Sequence, residues 1–188
     1  MKKEIFILIL LSLVIVAVIA NTNSVNEIIN LMTTVYSTTQ FSDKFIEDEL
    51  LSTILSAGNK ATSARNAQPW HFTVVKNNSV CKEIMPQHVD NNVLIIVSGQ
   101  SGNRFSTEFD TALATQNMFL AAQALGLAAR IYVMPVAKIN DTMLLELEIP
   151  DNYQAIAVLR IGYEAEGVDA QTAASPRHPI KDKINYIN

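Results

Sequence analysis

ATSARNAQPWHFTVV, residues 61–75, is the most informative stretch of the chain. Its end, Phe72 to Val75, is aromatic and β-branched and predicts a strand. Its beginning concentrates Thr62, Ser63, Arg65, Asn66 and Gln68 ahead of Pro69 and Trp70. Hydroxyl and amide groups set on a rigid aromatic anchor match the donors and acceptors of a flat heterocycle. A capped loop with Trp70 filling the core is the simpler reading, and the residues alone leave both open.

Upstream, Leu50, Leu51, Ile54 and Leu55 recur at helical spacing until Gly58, which reads as a helix stop. An earlier helix is expected from Ser24 and Glu27, a capping box, to about Tyr36. Downstream, Val93 to Val97 is a continuous apolar run and predicts a buried strand. The longest helical signal runs from Thr107 to Leu127; Phe109, Leu113, Phe119, Leu120 and several alanines make it apolar nearly all round, as a central buried helix would be. A strand over Ala129–Met134, a helix over about Asp141–Leu147 stopped by Pro150, and a strand over Ala155–Ile161 follow. Tyr163 to Asn188 carries Pro176 and Pro179, lacks periodicity and is expected to drape over a surface. The predicted order is ααβ(α)βαβαβ.

The chain opens with Met1, Lys2, Lys3 and Glu4, then sixteen residues from Ile5 to Ala20 of which only Ser12 is polar. A positive start, an apolar run and small residues before a cut, here Val18 and Ala20, form the layout of a signal peptide. The run falls only slightly short of the ~20 apolar residues that span a bilayer, so an uncleaved anchor is the rival. Either way the chain divides into residues 1–20, a signal peptide or membrane anchor, and one domain over 21–188. Export or membrane anchoring through residues 1–20 is the expected localisation.

The 188 residues carry 14 Lys and Arg against 18 Asp and Glu, a net charge of −4 with no basic stripe, which argues against nucleic acid as a partner. Cys81 is the only cysteine, so no intramolecular disulfide forms, and His71, His88 and His178 are too scattered for a preformed metal site. No P-loop, GxSxG elbow or GxGxxG fingerprint is present. Asn77 and Asn140 each begin an N-x-S/T sequon.

Residues 61–75 resemble the signature APSAxNxQPWxFxVV of the nitroreductase-like flavoproteins, with Thr62 in place of proline. Asp110, Ala112, Ala114, Gln116, Asn117, Leu120 and Leu125 to Leu127 resemble the family's central helix, DxAxAxQNMxLAAxxLGL. Ile149, Pro150, Ala157, Ile161, Gly162 and Tyr163 resemble its closing strand, and Arg177, Pro179 and Ile180 its C-terminal element, so the likeness spans nearly all of residues 26 to 181. The resemblance implies an α+β fold, a central mixed sheet flanked by helices around a buried central helix, formed as an intertwined homodimer with FMN at the subunit interface. It further implies an NAD(P)H-dependent, ping-pong, two-electron reduction of a nitroaromatic, quinone or similar acceptor, in which no side chain need act as catalytic acid or base.

By the same likeness Ser63 and Asn66 contact the flavin, with Arg65 a neighbour. Ser37 faces the ribityl phosphate, and Arg177 adds charge to it. One departure stands out. Relatives usually carry RRSxRxF where this chain has Val35 to Phe41, so every basic position is lost and Ser37 and Thr39 remain as neutral donors. Charge-assisted hydrogen bonds are roughly twice as strong as neutral ones. The alternative reading is therefore a degenerate, flavin-binding dimer of the same fold that binds a ligand or partner without turnover.

Overall fold

A computed structural model describes residues 26–102, 104–169 and 174–187. The predicted export segment, residues 1–20, and the Ser24 cap lie outside them. Among the described residues no helix is long and apolar enough to cross a membrane. The chain divides into two units at Val35 and Tyr36. The described part of the first is helix α1, residues 26–34, along which the Thr33 and Thr34 hydroxyls donate back to the carbonyls of Ile29 and Asn30.

The second unit is built on a four-stranded sheet. Strands β1 (Trp70–Val75), β2 (Val93–Gln100), β3 (Ala128–Tyr132) and β4 (Tyr153–Gly162) lie in the order β1-β2-β4-β3. All three pairings are antiparallel, whereas a mixed sheet was expected. The reason is an insertion: the helical crossover from β2 does lead to a parallel strand, β3, but β4 slots between the two and pairs antiparallel with both. In the β2–β4 ladder the register shifts between Val97 and Ser98.

Helix α2 (Asp48–Asn59) starts with Asp48 and Glu49, whose charges suit the positive end of the helix dipole. Gly58 proves to be a packing residue more than a stop, since helix α2 continues through it. A Cβ there would lie 2.5 Å from the Met118 side chain, so only glycine lets α2 approach α4 this closely. Asn117 of α4 seals the crossing by donating to the Ala57 carbonyl.

Helix α4 (Arg104–Ala124) begins earlier than its periodicity suggests. Its buried positions, Thr107, Asp110, Thr111, Ala114, Thr115, Met118, Phe119 and Ala122, recur at three- and four-residue spacing and face the sheet and α2. Phe109, by contrast, is 62% exposed, so the helix buries one face and leaves an apolar residue on the other. Gly126, at φ 77°, closes the helix: the Leu127 N–H reaches back to the Ala122 carbonyl at 2.9 Å, a left-handed cap that suits glycine.

On the other sheet face α3 (Asn78–Ile84) is capped by Asn77, whose side chain accepts the N–H groups of Ser79 and Val80. A helical turn, α5 (Val136–Lys138), runs into a π-helical segment, Ile139–Met143. This helical stretch starts before the expected Asp141 because Pro135 presets the backbone at its N-cap. Leu94, Ile96, Cys81, Ile139, Met143 and Val158 form the centre of the core on that face. Beside it the half-buried Asn140 donates its amide N–H to the Ala155 carbonyl and accepts the Ala155 N–H at 2.8 Å, so this sequon side chain is committed to β4. Beyond β4 the chain pairs with the segment before α2, through Phe41 opposite Glu164. A 3-10 turn at Ile180–Lys183 is the only regular element in the described tail.

Candidate functional site

The loop from Lys60 to Pro69 is pinned at several points. At its end Trp70 is 7% exposed and donates its ring N–H to Asn59, while the Pro69 carbonyl accepts the Gln100 N–H. In its middle the Ser63 hydroxyl accepts the Gln68 N–H at 3.0 Å, and a 3-10 turn forms over Ala64–Asn66. Both Asp110 carboxylate oxygens, 3.2 and 3.1 Å away, accept the Ala64 N–H.

Within this frame Arg65, Asn66 and Gln68 have φ of 55°, 56° and 48°. Left-handed backbone costs a non-glycine residue about 1–2 kcal/mol. Asparagine tolerates it best; arginine and glutamine have no such excuse. Three of them within four positions persist only because the anchors at Ser63, Asp110 and Trp70 over-determine the loop. The result is a rigid ledge that presents the exposed side chains of Arg65, Asn66 and Gln68.

A second segment runs from Tyr36 to Phe41. Gln123 of α4 donates to the Tyr36 carbonyl at 2.8 Å, and the buried Thr38 hydroxyl accepts the Gln40 N–H. The Tyr36 hydroxyl donates to the Glu164 carboxylate and is pushed up to about 12, first by burial and then by that hydrogen bond and charge. Tyr36, Thr38, Gln123 and Glu164 line a cavity of about 160 Å³ against Gly126, Leu127 and Ala128. Ser37 and Thr39 remain exposed. Arg130 of β3 donates through one nitrogen to the carbonyls of Ser37 and Thr38, each at 3.4 Å.

Below this segment Arg160 is 2% exposed. It donates twice to the Asn92 side chain at 2.9 and 2.7 Å and once to the Gln87 carbonyl, and its guanidinium lies 4.1 Å from the centre of the Phe41 ring. Burial pulls its pKa below the usual arginine value, yet the group stays cationic. The neighbouring His88 imidazole is buried and pushed down to about 4, by desolvation first and then by the Arg160 charge.

The residues singled out from sequence thus fall into three places. Ser63, Arg65 and Asn66 share the ledge, where the Ser63 oxygen shapes the loop itself. Ser37 and Thr39 sit on the second segment. Arg177 lies in the exposed tail, where no hydrogen bond or ion pair among the described residues ties it to either. Sequence reasoning missed Arg130, Glu164 and the anchoring role of Asp110. A charge at position 130, set in an otherwise apolar strand, was the available signal for the first.

The profile of the Nitroreductase family matches residues 34–91, the span holding both segments. A protein of Methanothermobacter thermautotrophicus that carries the provisional name NADH dehydrogenase/NAD(P)H nitroreductase is 31% identical over 147 residues, covering 73% of this chain and 77% of that protein. The chain belongs to the nitroreductase family. As a nitroreductase-family fold it is similar to the crystal structure of a nitroreductase with bound FMN from Bacteroides fragilis, with TM-score 0.73 at 24% identity over 86% of this chain and 99% of that one. A second FMN-bound nitroreductase structure, from Desulfitobacterium hafniense, gives TM-score 0.72 at 23% identity over 86% and 98%.

Proposed function

We propose that this nitroreductase-family chain is an FMN-dependent oxidoreductase that uses NAD(P)H to reduce a nitroaromatic, quinone or similar acceptor by two electrons. The observation that carries the reading is the strained ledge. Backbone strain held in place by a buried carboxylate and a buried tryptophan is the kind that persists where a ligand is to be met. The Asn66 amide and the Arg65 guanidinium offer the mix of donors and acceptor that the polar edge of an isoalloxazine needs. Ser63 supports them. Ser37 and Thr39 offer hydroxyls, and Arg177 charge, to the ribityl phosphate.

When bound, FMN supplies the two-electron chemistry, accepting hydride from NAD(P)H and passing it to the acceptor in a ping-pong cycle. The protein's part is to hold and orient, so no side chain is assigned as catalytic. Homodimerisation belongs to the same reading and is supported by the exposed Phe109 on α4 and by Ile180, Tyr186 and Ile187 in the tail. We also propose that residues 1–20 export or tether the chain; a topology reporter fused after Asn188 reads which side of the membrane the domain occupies, and a cytosolic, unprocessed protein contradicts it.

The test is anaerobic mixing of the FMN-loaded protein with NADH and NADPH. Bleaching of the flavin absorbance, followed by reoxidation on adding a quinone, is expected. A flavin that binds but stays oxidised favours the second reading, a ligand-binding domain without turnover. What supports that reading is the loss of every basic side chain from the Ser37–Thr39 segment itself, together with the Glu164 carboxylate that lines the cavity beside it.

A further inference from the structure

Arg130 and Arg160 are direct partners in the β3–β4 ladder, so their side chains leave the same face of the sheet. Like charges placed opposite each other in a sheet are destabilising. No carboxylate among the described residues forms an ion pair with either one. Arg160 spends its donors on Asn92 and the Gln87 carbonyl and faces Phe41, which locks its charge under the segment. Arg130 is differently placed. It is half-buried, its guanidinium carbon stands 5.3 Å from the Tyr132 ring centre, and its two contacts to the Ser37 and Thr38 carbonyls are long, through one nitrogen only. Among the described residues only this one nitrogen of its guanidinium makes a hydrogen bond. Arg130 therefore reaches the backbone of the segment that carries the exposed Ser37 and Thr39 hydroxyls with no carboxylate partner among the described residues, and Arg160 adds a second charge beside it: a site for an anion, in the segment where the expected basic side chains are missing.

We propose that Arg130, with Arg160 fixed beside it, supplies the positive charge that receives the FMN phosphate at the Ser37–Thr39 segment. The proposal rests on the FMN reading above and assigns it a residue. Arg130 replaces from the sheet the charge that the segment has lost from its own sequence. Its planar fork suits two phosphate oxygens, which a lysine would meet as a point charge. Arg160, already saturated, acts as a positioning residue: its charge repels Arg130 away from the sheet and toward the segment.

The experiment titrates the full-length protein with FMN and with riboflavin, which lacks the phosphate, and repeats both for Arg130→Gln and Arg130→Lys. Arg130→Gln is expected to weaken FMN about tenfold or more and riboflavin less than twofold, with Arg130→Lys between, and to flatten the salt dependence of FMN binding. Equal loss of both flavins, or loss of neither, overturns the proposal. If Arg130→Gln does not fold, Arg130→Lys decides: FMN weakened more than riboflavin supports the assignment, and FMN affinity and salt slope equal to wild type overturn it. Wild-type protein that binds FMN and riboflavin equally sinks this inference alone, whereas protein that binds neither sinks the FMN reading with it.

Discussion

Asp110, in the first third of helix α4 and 2% exposed, accepts the backbone N–H of Ala64 with both carboxylate oxygens. This contact joins helix and ledge, forty-six positions apart in sequence. Asp110→Asn keeps the size and loses the charge that strengthens the contact. It is expected to cost about 1–2 kcal/mol in stability and to weaken flavin binding several-fold. Thermal unfolding and limited proteolysis within residues 61–69 check the first part; a loop no more susceptible than wild type contradicts it.

Gln68→Gly relieves a left-handed residue at φ 48°. Relief of about 1–2 kcal/mol outweighs the 0.5–1 kcal/mol that glycine's unfolded-state freedom costs. The variant should unfold at equal or slightly higher denaturant yet bind flavin less tightly, because the ledge is then less constrained. A clear loss of stability would show that the strain is smaller than its geometry implies.

Asn140→Ala removes a side chain that both donates to and accepts from Ala155. Leaving those backbone groups unpaired is expected to cost about 2–3 kcal/mol. Flavin affinity should not change, since this contact is made to Ala155 and involves neither the ledge nor the Ser37–Thr39 segment. Chemical denaturation read alongside FMN titration separates the two effects.

His88 is held neutral, its pKa pushed from 6.5 to about 4 by burial beside Arg160. The folded state therefore binds a proton less readily than the unfolded state between those values. Stability is fully present above about pH 6.5 and falls as pH drops to about 4, by up to about 3 kcal/mol. In His88→Leu this part of the acid sensitivity should vanish. Denaturation midpoints at pH 7, 5.5 and 4 test it, and an unchanged slope in the variant rules out His88 as the cause.

Most of the elements were legible because their signals are local: continuous apolar runs for β2 and β4, helical spacing for α2 and α4, a proline and a glycine at turns. What was not legible depends on residues distant in sequence. Gly58 reads as a stop until Met118 is seen against it. The left-handed Arg65 and Gln68 give no local sign, because neither residue favours that conformation and only their anchors impose it. Arg130 gains meaning from Arg160, thirty residues on in β4, and from Ser37 far upstream. The antiparallel sheet was missed for a similar reason, since chain order does not reveal that β4 inserts between β2 and β3.

The central claim is that the ledge and the Ser37–Thr39 segment together hold FMN, and a fluorescence titration of the flavin-free, full-length protein with FMN tests it most directly. Saturable quenching with a Kd in the micromolar range or below, and one flavin bound per chain, is the predicted result. No quenching at tens of micromolar FMN, in protein shown by circular dichroism to be folded, would contradict it.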